Sequence, residues 1–101
     1  MDKRDALNLA EKFTDIVRAE YPLQRAYLFG SYVKGNFHEE SDIDIAFVFE
    51  DVENSCFLQL ELMRLRRKLD SRLEPHPFGE SDFVNTNPLV AEIMEHGQEI
   101  S

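Results

Sequence analysis

Gly30-Ser31-Tyr32-Val33-Lys34-Gly35-Asn36-Phe37-His38-Glu39-Glu40-Ser41-Asp42-Ile43-Asp44 is the stretch that decides how this chain is read. It sits between two strand-like segments. Before it, Gln24 to Phe29 is aromatic-rich and bounded by Pro22 and Gly30, as a short strand would be. After it, Asp42 to Phe49 begins with strict polar/apolar alternation and ends as a continuous apolar run, the pattern of a strand whose far end is buried on both faces. Gly30 lacks a Cβ, so it tolerates unusual dihedrals and lets another group approach the backbone. Ser31 can open a single helical turn that Gly35 ends. Free N–H groups at such an opening favour an anion such as phosphate, and Lys34 adds positive charge in the same turn.

Asp42 and Asp44 stand two apart on a strand. Alternation therefore points both carboxylates one way and sends Ile43 and Ile45 into the core. Two carboxylates side by side repel each other unless a cation lies between them, and hard oxygens select Mg²⁺ or Mn²⁺. Alone, Asp-x-Asp is the ordinary end of a solvated strand, and Gly-Ser is a common turn. Joined as strand, Gly-Ser turn, Gly35, polar loop and Ser41-Asp42-Ile43-Asp44, they describe a phosphate seat facing a metal site. That is the equipment of phosphoryl or nucleotidyl transfer. A P-loop would need Gly-x-x-x-x-Gly-Lys-Ser/Thr, which is absent. An EF-hand would need Gly and more oxygen ligands after Asp44, where Ile45, Ala46 and Phe47 stand.

Outward from this centre the chain alternates helix and strand. Ala6, Leu9, Ala10, Phe13, Ile16 and Val17 mark a helix from Asp5 to Glu20, which Pro22 closes. Ser55 caps a second helix to Leu69, with Phe57, Leu60 and Met63 at helical spacing. Arg72 to Phe78 reads as a strand that Pro75 and Pro77 weaken, placed at a sheet edge or only partly paired. Gly79 to Asn85 is a loop. Asn87-Pro88 starts a last helix with Leu89, Val90, Ile93 and Met94 on its apolar face and Gly97 at its end. Gln98-Glu99-Ile100 is a short extended tail. The order predicts an α+β (α/β-like) domain, a small mixed sheet with helices packed on it, over residues 1–101.

Composition narrows the function classes. The 101 residues carry 11 Lys+Arg against 20 Asp+Glu, a net charge of −9. Proteins that grip nucleic acid through its phosphates show a basic field, so extended nucleic-acid contact is disfavoured. A local basic run, Arg64-Leu65-Arg66-Arg67-Lys68, reads as a solvated helix face, or else as a docking face for an anion or an acidic partner. No apolar run approaches the ~20 residues of a membrane helix. The charged N-terminus has no hydrophobic stretch behind it, and the single Cys56 excludes an intrachain disulfide. These features lead to the expectation of a cytoplasmic location without membrane association. Cys56 reads as a packed, inert thiol, and His38 and His96 as exposed.

Gly30-Ser31 with Gly35, followed by Ser41-Asp42-Ile43-Asp44-Ile45, resembles the signature of the DNA polymerase beta-like nucleotidyltransferase superfamily. The small size and Glu74-Pro75-His76-Pro77-Phe78 are similar to its minimal nucleotidyltransferase branch. The resemblance implies a two-metal mechanism with Mg²⁺, or Mn²⁺ in its place. Gly30 and Ser31 match the residues that hold the nucleotide's terminal phosphates, and Lys34 falls where basic phosphate contacts are common. Asp42 and Asp44 match the paired metal ligands. Glu74 matches a third catalytic carboxylate, which many members supply as Asp, with His76 on the same face as the fallback. It further implies transfer of a nucleoside monophosphate, AMP from ATP, to an acceptor hydroxyl. Members of this size pair with a HEPN-domain protein as the antitoxin of a toxin–antitoxin system, with a partner hydroxyl such as a tyrosine as acceptor. A non-catalytic module that neutralises the partner by contact, or a subunit that modifies an aminoglycoside-like small molecule, are the alternatives. Self-association stays open.

Overall fold

A computed structural model describes all residues, Met1–Ser101. Helix α1 (Lys3–Glu20) begins at Asp2, whose carboxylate accepts the Asp5 N–H at 2.9 Å, and it ends before Pro22 as the sequence requires. Strand β1 (Leu23–Phe29) runs into the single turn α2 (Ser31–Lys34), and a loop leads to β2 (Ile43–Phe49). Helix α3 (Ser55–Leu65) follows, then β3 (Leu73–Gly79), α4 (Pro88–His96) and the two-residue β4 (Gln98–Glu99).

The sheet order is β3-β2-β1-β4. Strands β1 and β2 are antiparallel, β2 and β3 are parallel, and β4 pairs antiparallel with β1. The sheet is therefore mixed, and β3 lies at its edge, where the missing N–H groups of Pro75 and Pro77 break no inner ladder.

The two faces of β2 go to different layers. Ile43, Ile45, Phe47 and Phe49 pack with Ala6, Ala10, Phe13 and Val17 of α1 and Leu62 and Leu65 of α3. Ala46 and Val48 pack with Phe29, Phe83 and the α4 residues Val90 and Ile93. This explains the apolar run at the end of β2: Phe47, Val48 and Phe49 are all buried. Phe13 meets Phe47 edge-on at 5.5 Å, a geometry that adds to the stabilisation from area burial. No helix is long and apolar enough to cross a membrane.

Several local expectations are corrected. Asn54, not Ser55, caps α3, accepting the Phe57 N–H at 2.9 Å. The α-helix stops at Leu65, and Arg66–Lys68 form a 3₁₀ turn where continuation to Leu69 was expected. Phe57 and Leu60 are 61% and 69% exposed, because Leu58, Leu62 and Leu65 turn to the core instead. Met94 is likewise outside the apolar face of α4, and Cys56 is exposed rather than packed. The Gly79–Asn85 loop holds a 3₁₀ turn, Glu80–Asp82.

The connection into β3 is tied down by charge. The Asp70 carboxylate accepts the Arg72 backbone N–H at 2.8 Å and its guanidinium at 3.0 and 2.7 Å. The Arg72 guanidinium holds the Asp70 carboxyl below the usual carboxylate range. A depressed folded-state pKa stabilises the fold above the unfolded value, about pH 4, and that stabilisation is lost as pH falls through the folded value. Asp70→Asn should therefore flatten the acid limb of the stability-versus-pH curve below about pH 4, measured by urea unfolding at stepped pH. An unchanged acid limb would count against this pairing.

The Tyr32 hydroxyl is buried with no hydrogen-bond partner, while its ring stacks on Phe37 at 4.7 Å. A buried orphan hydroxyl costs about 1–3 kcal/mol. Tyr32→Phe should thus keep or raise the melting temperature. A fall of several degrees would show that the hydroxyl has a partner in solution.

Candidate active site

Strands β1 and β2 are in register with Phe29 opposite Asp44. The residue after Phe29 is Gly30, at φ +83°, which turns the chain into α2. A Cβ built on Gly30 would lie 2.5 Å from Asp44 Oδ2. The missing side chain at Gly30 is thus what lets the Asp44 carboxylate lie against the Gly-Ser turn. In α2 the Gly30 carbonyl accepts the Val33 and Lys34 N–H groups at 3.2 and 3.1 Å, and Ser31 O accepts the Gly35 N–H at 2.9 Å. The first N–H groups of such a turn have no partner within it.

Asp42 is exposed one residue before β2, and Asp44 is half-buried on it. Ile43 and Ile45 between and after them are fully buried toward α1 and α3, as the alternation requires. The approach to Asp42 is fixed by Ser41, which is buried and whose Oγ accepts the His38 N–H at 2.8 Å while its own N–H donates to His38 O at 3.0 Å. Ser41 is therefore a brace for the loop, a part that the motif reading left unassigned.

Parallel pairing sets Glu74 opposite Asp44 and His76 opposite Ala46. Both fall on the face of Asp44, and the structure gives them different neighbours. His76 Nε2 is 3.1 Å from Asp44 Oδ1, and its ring meets Phe29 at 5.0 Å. The Glu74 carboxylate instead stands 3.5 Å from Arg66 Nη1. No set of three or more Asp, Glu, His or Cys side chains converges in the way a complete metal cage would. Asp42, Asp44 and Glu74 are thus gathered at one end of the sheet without being closed around one point. Lys34 is drawn from the turn to Glu92 on α4, and its ammonium holds the Glu92 carboxyl below the usual range. The pairing of Lys34 with Glu92 was not legible in sequence, because 58 residues separate them.

Chemically, Asp44 sets a hard carboxylate against the backbone turn at Gly30, and Asp42 supplies a second one two residues earlier, just before β2. That donor set fits Mg²⁺ or Mn²⁺, which bind through one or two carboxylates and complete their shells with phosphate and water. Residues 11–101 match the family model described as Polymerase beta, Nucleotidyltransferase. The chain belongs to this family. The chain is also similar to solved structures of minimal nucleotidyltransferases. One is a toxin–antitoxin complex with AMP-PNP, 28% identical, covering 88% of this chain and 70% of that chain, TM-score 0.67. Another is the tri-AMPylated Shewanella oneidensis HEPN toxin in complex with an MNT antitoxin, 27% identical, covering 92% and 70%, TM-score 0.62. A third is described as a nucleotidyltransferase from Sulfolobus solfataricus, 28% identical, covering 78% and 71%, TM-score 0.63. No curated protein sequence matches. The Gly30-Ser31 turn and the Asp42-Ile43-Asp44 segment lie where β1, α2 and β2 meet.

The two positive-φ glycines of this nucleotidyltransferase separate backbone strain from site geometry. Gly35, at φ +87°, has nothing within 4 Å of an added Cβ. Gly35→Ala should cost only the left-handed backbone penalty, about 1–2 kcal/mol, and leave the Asp42 and Asp44 carboxylates in place. Gly30→Ala should carry the same penalty and also displace Asp44. Paired unfolding and Mn²⁺-binding measurements check this; equal metal binding by the two variants would remove Gly30's special role.

Proposed function

We propose that this nucleotidyltransferase transfers AMP from ATP to a hydroxyl of a HEPN-type partner and acts as the antitoxin of that pair. The observation that carries the reading is the fit of Asp44 into the space left by Gly30, which joins a carboxylate strand to a phosphate-binding turn. Its support for the partner is the likeness to chains crystallised in toxin–antitoxin complexes, one with AMP-PNP and one with an AMPylated HEPN toxin. A net charge of −9 suits a basic partner surface.

In this reading Gly30 and Ser31 hold the terminal phosphates through backbone N–H groups and the Ser31 hydroxyl. Lys34 leaves Glu92 to meet the triphosphate. Asp42 and Asp44, with Glu74 as third ligand, would hold two divalent ions, Mg²⁺ or Mn²⁺, whose chemistry is to neutralise charge on the transferred and leaving phosphates. Glu74 also receives the proton of the acceptor hydroxyl. His76, hydrogen-bonded to Asp44 and braced by Phe29, fixes the orientation of that carboxylate. Positioning and fixed charge supply most of the rate.

The test incubates the protein with its genomic neighbour, radiolabelled ATP and Mg²⁺. Label should move to the partner, and Asp42→Ala/Asp44→Ala should lower the rate at least about a hundredfold, the scale of lost electrostatic stabilisation. Asp44→Asn should leave the melting temperature near wild type, since removing a carboxylate relieves like-charge repulsion in the metal-free chain. Equal labelling with the double variant, or none with the wild type, would overturn the reading.

A further inference from the structure

The basic run Arg64-Leu65-Arg66-Arg67-Lys68 is not uniformly a solvated face. Arg67 and Lys68 are exposed, and Arg64 pairs with Glu61 at 3.1 Å on the same helix. Arg66 turns the other way. Its Nη1 donates to Ser71 O at 3.0 Å and Leu73 O at 2.9 Å, so the guanidinium is pinned to the backbone that leads into β3. From that fixed position the same Nη1 lies 3.5 Å from Glu74 Oε2. The other nearby acid, Asp70, is already taken by Arg72. Arg66 and Glu74 are both about three-quarters to two-thirds covered, with side-chain exposures of 22% and 33%. Glu74 lies in register with Asp44, yet its carboxylate belongs to no three-ligand cluster.

We propose that Arg66 is a positioning residue that clamps the Glu74 carboxylate apart from Asp42 and Asp44, so that a divalent ion gains Glu74 only by taking it from the guanidinium. This rests on the reading of Glu74 as third metal ligand. The clamp has two physical consequences. In the metal-free chain it separates three like charges that would otherwise crowd one strand end. On metal loading it sets the affinity of the site that includes Glu74, because its ion pair is exchanged for a metal bond. The carbonyl bonds keep Arg66 in place when Glu74 leaves, so the clamp can re-form.

Mn²⁺ binding to the full chain, followed by the electron paramagnetic resonance of free Mn²⁺, reads this directly without partner or nucleotide. Arg66→Met should tighten the weaker Mn²⁺ site about threefold, the scale of one partly exposed ion pair. Arg67→Met, an equal change of net charge at an exposed site, should leave it unchanged. In a Glu74→Gln background Arg66→Met should have no effect. Arg66→Gln, which removes the charge but keeps an amide donor for the Ser71 and Leu73 carbonyls, should also tighten the site, and it serves if circular dichroism shows that Arg66→Met does not fold. An unchanged isotherm in Arg66→Met or, should that variant not fold, in Arg66→Gln would overturn the clamp. So would a tightening that persists without the Glu74 carboxylate or that Arg67→Met reproduces. AMP transfer by wild type with an isotherm that ignores Arg66 would remove the clamp alone; an isotherm that responds as described, without AMP transfer, would support the clamp and remove the enzymatic reading.

Discussion

The close approach of Asp44 to Gly30 is the constraint on which the site depends. Any side chain at Gly30 would meet the Asp44 carboxylate at 2.5 Å, and the positive φ there already favours glycine. The antiparallel register of β1 and β2 brings the two together by setting Phe29 opposite Asp44. The turn that starts α2 and the carboxylate that starts β2 are therefore one structural unit. The rest of the sheet keeps that unit rigid: Ile43 and Ile45 anchor the carboxylate strand into the α1–α3 layer, and Ala46 and Val48 anchor it toward α4.

The parallel strand β3 runs alongside the carboxylate strand. Its register gives Asp44 a carboxylate neighbour in Glu74 and a hydrogen-bonding neighbour in His76. An edge strand suits this role, since its outer side is open to a partner and its prolines cannot extend the sheet. The exposed Leu60 of α3 and His76 both line a groove of about 560 Å³ between α3 and β3. Gln59 closes part of that edge by donating to the Pro75 carbonyl at 2.8 Å.

Much of this could be read from sequence because the signals are local. Glycine after a strand, Asn-Pro at a helix start and alternating Asp-Ile-Asp-Ile each encode a backbone state within a few residues, and each is found in place. Alternation was enough to face Ile43 and Ile45 inward. The two prolines of β3 narrowed it to an edge or partly paired strand, and the edge is where it lies. Periodicity failed on α3, where apolar residues lie nearly all round the helix, so spacing alone could not choose Leu58, Leu62 and Leu65 over Phe57 and Leu60 as the buried face. The partners of Lys34, Glu74 and Asp44 were beyond reach for another reason. Glu92, Arg66 and His76 meet them only through the tertiary register, and Arg66 looks no different in sequence from Arg67 beside it.

In the proposed function, Asp42 and Asp44 hold divalent metal against a triphosphate seated on Gly30-Ser31. A crystal structure with Mn²⁺ and a nonhydrolysable ATP analogue, with the metal located by its anomalous scattering, tests it most directly. The expected result is Mn²⁺ ligated by both aspartates and by phosphate oxygens, with the terminal phosphates on the backbone N–H groups that begin α2. Anomalous density elsewhere, or a nucleotide seated away from Gly30 and Ser31, would contradict it.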